Sequence, residues 1–251
     1  MKRRDVLILA GLAAVVVALP RARRLGEPEF EFETIPGLAG FRRLSGGSVS
    51  SLPIALVGID TLSAEQNALR RAIASSPCDS LWHDGGAPAP GIVPVAVFTD
   101  YNCPYCPTLS ETVIALQEAG EPIAVRWQDL PLLGPRSEDA ARAALAAERQ
   151  DAYLPLHRHL MRSTLRPGEA QLGTLAESFG LEPSQFVEDA ASEEVAARIE
   201  RSRALADVFG IVGTPSLVVG RTLVVGTIEE RDLRRLIALE AAMPPGPCFA
   251  G

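Results

Sequence analysis

The apolar positions become orderly from Gly91 onward. Val93 to Phe98 is a short, β-branched apolar run, which predicts a buried strand. Thr108 to Ala119 places Leu109, Val113 and Leu116 on one face at helical spacing, and Gly120 stops that helix. From Pro122 to Trp127 the pattern alternates, with Ile123, Val125 and Trp127 on one side, and predicts a second strand. Residues 136–210 then read as helical almost throughout. "RSEDAARAALAAERQ" starts at a Ser137 cap, "DAYLPLHRHLMRS" carries Pro155 in its first turn, and "EAQLGTLAESFG" ends at Gly180. "PSQFVEDA" leads into "SEEVAARIERSRALADVFG", which Gly210 closes. Strands return at Ser216–Val219 and Thr222–Val225, joined by a Gly-Arg loop of type II′ form. Thr227 and Glu230 make a capping box for a last helix. Strand, helix, strand, helical block, hairpin and helix imply a mixed sheet covered by helices, an α/β arrangement.

The first 91 residues follow no such rhythm. Val6 to Leu19 is an unbroken apolar run of 14 residues behind "MKRRD", too short for an ordinary span and suited to an export signal. Residues 1–26 are therefore a signal peptide, or an uncleaved membrane anchor through residues 6–19. Residues 27–91 read as an irregular extension punctuated by "IPGLAG", "LSGGSVSSLP" and the linker "GGAPAPG". It holds one short helix, Ser63 to Ala74, with Ser63 as N-cap and Gln66 completing a capping box.

Charge and composition narrow the function. The formal charge is −7, yet residues 1–26 carry six of the 24 basic residues and one acid, Asp5. The remainder has 18 basic against 30 acidic residues, a net of −12, which argues against nucleic acid as a partner. The body is placed outside the cytoplasm, in the periplasm or on the outer face of the inner membrane, where disulfides persist.

Chemistry concentrates in "DYNCPYCPTL". Cys103 stands where a strand gives way to a helix, at or near the N-cap, where free N–H groups and the helix dipole lower a thiol pKa. Pro104 suits the first helical position. Cys106 lies about one turn on, close enough to close a small ring with Cys103. The first thiolate would attack a disulfide and the second would resolve the mixed disulfide. A zinc site built from Cys103, Cys106, Cys78 and Cys248 is the structural alternative, though such sites show two close pairs and Cys78 and Cys248 are isolated. Copper(I) capture by the two thiols is chemically reasonable and compatible with redox work. The second signal is "VGTPSLVV", where Thr214-Pro215 enters a strand after a glycine; a fixed turn there could be cis.

The CxxC after the first strand and the Thr-Pro before the hairpin together resemble the thioredoxin superfamily. The long helical block between them is similar to the DsbA type of envelope thiol–disulfide oxidoreductase, over residues 92–243. The resemblance implies a thioredoxin fold, residues 92–134 and 211–243, with a helical insertion, residues 135–210, and a C-terminal tail, residues 244–251. It implies Cys103 as the exposed nucleophile, Cys106 as the resolving thiol and Pro215 as a cis-proline beside them. Thr214 would tune the thiolate and offer backbone to an extended substrate. Cofactors and a resident metal are not expected. The implied partners are exported proteins with thiols or disulfides and a membrane or periplasmic redox protein; a metal-binding module of the same fold is the rival reading.

Several residues depart from that pattern. The strongest oxidants of the type carry histidine where Tyr105 stands, so a less oxidising pair is expected. The first strand has no acid before Asp100, and Gln128 stands where a basic residue is expected. Pro107 would crowd the carbonyl of Cys103 in a regular helix and loosen the first turn. Outside the likeness, the even cysteine count suggests a disulfide between Cys78 and Cys248 that ties the extension to the tail, with two free thiols as the alternative. His157 and His159 read as ordinary helix residues, since positions two apart share no helical face. Trp82-His83-Asp84 reads as loop, and Asp129 as structural or a proton acceptor.

Overall fold

A computed structural model describes residues 29–51, 62–82, 89, 91–163, 169–244, 246 and 248. The export segment of residues 1–26, His83, Asp84 and most of "GGAPAPG" lie outside the described residues. From Phe32 onward the chain forms one unit around a six-stranded mixed sheet. Its strands are β1 (Phe32–Thr34), β2 (Arg42–Ser45), β3 (Val93–Thr99), β4 (Ile123–Asp129), β5 (Ser216–Val219) and β6 (Thr222–Val225). They lie in the order β1-β2-β6-β5-β3-β4. β3, an interior strand between β5 and β4, is buried at every position, which accounts for its continuous apolar run. It pairs parallel with β4 and antiparallel with β5. β5 and β6 form the expected hairpin, and Gly220 at its tip takes φ 56°, the left-handed geometry a type II′ loop requires of its first residue.

Residues 27–91 are where the sequence expectation fails. Instead of an irregular extension, they supply two strands and two helices. β2 runs parallel to β6, from Arg42 opposite Thr222 to Ser45 opposite Val225, and β1 pairs antiparallel with β2. Both strands are short and charged, so no alternation announces them; their order comes from β6 and from Arg42. That guanidinium lies 3.6 Å from the Phe32 ring centroid and bonds to Thr222 Oγ1 and Glu240 Oε1, each at 2.8 Å. Helix α1 (Ala64–Ser75) carries the expected Ser63–Gln66 capping box. Helix α2 (Pro77–Trp82) follows, and its Cys78 is disulfide-bonded to Cys248.

Helix α3 (Cys106–Glu118) buries Leu109, Val113, Ile114 and Leu116, each side chain worth ~1.5–3 kcal/mol on burial. The helical block comprises α4 (Pro135–Glu148), α5 (Tyr153–Leu160), α6 (Glu169–Ser178), α7 (Pro183–Ala191) and α8 (Glu193–Phe209). Ser192 caps α8 and Gly210 ends it with φ 66°. The closing helix is α9 (Glu230–Ala242).

Two expected caps are used otherwise. α4 begins at Pro135 behind Gly134, and Ser137 is buried within it; α9 begins behind Glu229, and Thr227 Oγ1 accepts the N–H of Ser48 at 3.0 Å. In both cases a tertiary partner outcompetes the local one. The apolar interior falls into two clusters. One gathers the sheet, Phe41, Ile73, Trp82 and Phe209 on the side of α1, α2 and α8. The other is built by the helical block and includes Tyr101, Cys103 and Cys106. Ion pairs from Arg158 and Arg162 to Glu111 fix α5 to α3, the helix that carries Cys106.

Candidate functional site

The residues after β3 make the site. Asp100 is buried at the strand end and its carboxylate is saturated by protein donors. Oδ1 accepts from Asn102 N–H at 2.8 Å and Ser137 Oγ at 2.7 Å; Oδ2 accepts from the N–H groups of Leu132 and Leu133 at 2.7 and 2.9 Å. One side chain thus locks the turn before the cysteines to the loop after β4 and to α4, and Ser137, expected as a helix cap, serves it as a donor. The Asp100 carbonyl then accepts the Cys103 N–H at 3.1 Å.

Helix α3 starts two residues later than a Cys103 cap would place it. Its N-cap is Tyr105, and Cys103 and Pro104 precede it in a turn closed by Cys106 N–H to Cys103 O at 3.3 Å. Pro107 is the reason. It has no N–H to give the Cys103 carbonyl, and it sits without conflict in the first turn of a helix that begins at Cys106. The loosening expected around Pro107 is thereby confined to the turn ahead of the helix.

Opposite the cysteines lies the loop before β5, where the Thr214–Pro215 peptide is cis. As a thiol, Cys103 Sγ donates to the Thr214 carbonyl at 3.3 Å, so "CPYC" and "GTP", more than a hundred residues apart, meet at one sulfur. The Thr214 hydroxyl is buried with no hydrogen-bond partner in place, and it faces Cys103, whose pKa it helps to lower.

The two thiols differ sharply. Donation from the Cys106 thiol brings Cys103 from 9.0 down to about 6; burial opposes this, while Thr214, the Tyr105 N–H and Ser50 assist. Burial pushes Cys106 strongly upward, and its neighbour Cys103 adds to that. One sulfur is therefore a thiolate near neutral pH while the other keeps its proton.

Two sequence expectations need correction here. Cys103 is only 2% exposed, not an open nucleophile. The backbone of Thr214 is not free either: its carbonyl accepts from Ser50 N–H at 2.7 Å and its N–H donates to Ser50 O at 2.9 Å. The second correction comes from the segment after β2, which lies along the Thr214 loop. Nothing local in "LSGGSVSSLP" marks Ser50; only the parallel pairing of β2 with β6 brings it there. Tyr105, between the cysteines, and Val212, beside the Thr214 loop, are exposed at 39% and 66%.

Beneath the site, position 128 carries no charge where a basic residue is expected. Gln128 is buried and neutral, accepting from Ser202 Oγ at 3.1 Å. Its neighbour Asp129 heads a separate cluster, accepting from Tyr101 Oη at 2.8 Å and from Tyr153 Oη at 3.1 Å. Burial raises the Asp129 carboxyl to about 7, against the pull of the two tyrosines. His157 is buried 3.0 Å from Tyr101 Oη and 4.4 Å from the Trp127 ring, and burial lowers it to about 3. With Tyr101 donating to Asp129, His157 Nδ1 is the donor to the tyrosine. His159 is exposed on the other side of α5 against Phe179.

Among the described residues no three His, Cys, Asp or Glu side chains gather as metal ligands, and Cys78 and Cys248 are bonded to each other, which removes the four-cysteine zinc site. No described helix is long and apolar enough to cross a membrane.

Comparison with known proteins follows the same outline. The model of the DSBA-like thioredoxin domain family matches residues 94–238. A thioredoxin-like oxidoreductase from Silicibacter pomeroyi is 36% identical, with a TM-score of 0.59, covering 66% of this chain and 98% of that one. The catalytic domain of Proteus mirabilis ScsC is 27% identical, with a TM-score of 0.58, covering 69% and 99%. Among curated proteins, the Na(+)/H(+) antiporter NhaA 3 of Salinispora tropica is 34% identical over 131 residues, 51% of this chain and 20% of its own. The chain thus spans about a fifth of the length of the curated relatives it matches.

Proposed function

The chain belongs to the DSBA-like thioredoxin domain family, and on that premise we propose that it is a thiol–disulfide oxidoreductase acting outside the cytoplasm through Cys103 and Cys106. The observation that carries the reading is the asymmetry of the pair: Cys103 lowered to about 6 beside Thr214 and Pro215, Cys106 buried and protonated.

In the reducing direction the Cys103 thiolate attacks one sulfur of a substrate disulfide. A Cys103–substrate bond forms, the substrate S–S bond breaks, and the departing sulfur leaves with the electron pair and takes up a proton. Cys106 then loses its proton and attacks Cys103 Sγ. The Cys103–Cys106 bond forms, the mixed disulfide breaks, and the second substrate thiol is released. Two electrons pass from protein to substrate, and the oxidising direction is the same path reversed. Cys106 stays unreactive until the mixed disulfide consumes the Cys103 charge beside it, which fits a resolving role.

Exported proteins bearing thiols or disulfides are the substrates on this reading, with a membrane or periplasmic protein restoring the pair. The apolar run behind "MKRRD" and the Cys78–Cys248 bridge support the oxidising compartment. Insulin reduction tests the assignment. Cys103→Ser is expected to abolish it, and Cys106→Ser to accumulate mixed disulfides on non-reducing gels; full activity in both variants would refute it.

A further inference from the structure

Beyond β2 the chain does not leave the sheet. Gly46 to Ser51 runs on past the end of β6 and over the Thr214 loop, held almost wholly by backbone. Gly47 N–H donates to Thr227 O at 2.7 Å, Thr227 N–H to Ser48 O at 3.0 Å, and Ser50 forms its two-bond antiparallel bridge with Thr214. The seat is shaped for main chain alone. A Cβ on Gly46 would lie 2.3 Å from Val225 O, and one on Gly213 would lie 2.5 Å from Ser50 O. Side chains at these positions would hold the segment off the fold.

A substrate cysteine in contact with Cys103 Sγ brings its own backbone beside Thr214, whose carbonyl is 3.3 Å from that sulfur. An extended peptide there would use the N–H and C=O of Thr214, the pairing that adds a strand to an open edge. Ser50 holds both. A peptide that pairs with Thr214 must first displace this segment.

We propose that Gly46–Ser51 is a specificity-determining segment, a built-in occupant of the peptide-binding edge that protein substrates must displace from Thr214. The proposal rests on the thiol–disulfide reading above. Substrates are then selected for an extended, unpaired stretch around the cysteine, able to replace the two Ser50 bonds. Small dithiols need no strand pairing and bypass this competition. The bond changes at Cys103 are those of the exchange already written; the segment governs access to them.

The test compares two substrates, dithiothreitol and an unfolded peptide with a single cysteine, both reacted with the oxidised full chain. Two variants loosen the segment. Ser50→Pro deletes the N–H that Thr214 O accepts, and Gly46→Ala pries up the start of the segment without touching Ser50. Each is expected to raise the peptide rate roughly tenfold, from the loss of one competing hydrogen bond or the weakening of both. Gly46→Ala should leave the dithiothreitol rate within about twofold. An unchanged or slower peptide rate in both variants, with the dithiothreitol rate intact, overturns the proposal. Failure of the unmodified chain to exchange with dithiothreitol instead overturns the oxidoreductase reading itself. A third measurement does not depend on the variants folding: with a peptide trapped on Cys106→Ser, the Ser50 amide should lose its protection from hydrogen exchange. Retained protection would also overturn the proposal.

Discussion

Replacing Cys106 with alanine removes the foremost contribution to the Cys103 thiolate, the hydrogen bond donated by the Cys106 thiol. Hydrogen bonds to charged groups contribute about 1.5–3 kcal/mol, and each pKa unit corresponds to about 1.4 kcal/mol. The loss therefore moves Cys103 from about 6 to roughly 7–8. At pH 7 the thiolate fraction falls from about nine-tenths to between about a half and a tenth. Cys106→Ser is the control, because its hydroxyl remains a donor and the titration should stay close to that of the unmodified site. Ultraviolet absorbance of the thiolate against pH, checked by the pH dependence of iodoacetamide alkylation, reads the value directly. If the alanine and serine variants titrate together, the Cys106 proton does not hold the Cys103 charge and the reasoning fails. The same lowering has a sign in stability. A thiol depressed on folding stabilises the reduced protein fully above its unfolded value of 9.0 and loses that contribution as pH falls through about 6. At pH 7 it amounts to about 1.4 kcal/mol, or roughly 30 mV of added oxidising character in the disulfide. That contribution works against the less oxidising pair expected from Tyr105.

Asp129 works in the opposite sense. Its carboxyl is raised from 3.8 to about 7 by burial, so the folded state holds a proton that the unfolded chain has released. Stability should therefore fall as pH rises between those values, by up to about 4 kcal/mol, and Asp129→Asn should remove the slope. Urea unfolding at about pH 5 and about pH 8 measures it, and parallel slopes in both proteins would contradict the assignment. The Cys78–Cys248 bridge spans 170 residues, so replacing both cysteines with serine should cost ~2–4 kcal/mol in denaturant unfolding while leaving dithiothreitol exchange at Cys103 intact. Non-reducing peptide mapping that found both thiols free would remove the basis of that prediction.

The parts of this fold that were legible in the sequence are those whose signals are local. β3, α3, β4, the hairpin and the helical block each carry their own periodicity and their own stops, and "CPYC" with "GTP" outlines the chemistry. What escaped was decided by distant partners. β1 and β2, "FET" and "RRLS", have no alternation because β6 and Glu240 order them. Ser137 and Thr227 look like caps, yet Asp100 and Ser48 engage them more effectively than the helix ends do. Asp100 itself reads as the residue after a strand; its four donors come from three separate segments. Ser50 was invisible for the same reason, as a polar residue in a glycine-serine stretch whose place depends on sheet order.

That sheet order has a bearing on solubility. Without β2, the outer edge of the hairpin would be β6, a buried Thr-Leu-Val-Val stretch with open N–H and C=O groups. Such an edge templates pairing with any extended chain nearby. A protein that meets unfolded, cysteine-bearing chains as clients would gather them there, away from its sulfurs, and aggregate with them. β2 closes that edge, and the outermost strand becomes β1, three residues long with the exposed Glu33 at its centre. The lead-in thus removes one open edge from the sheet and puts a short, charged strand in its place, which lowers the tendency of the fold to coprecipitate with extended chains.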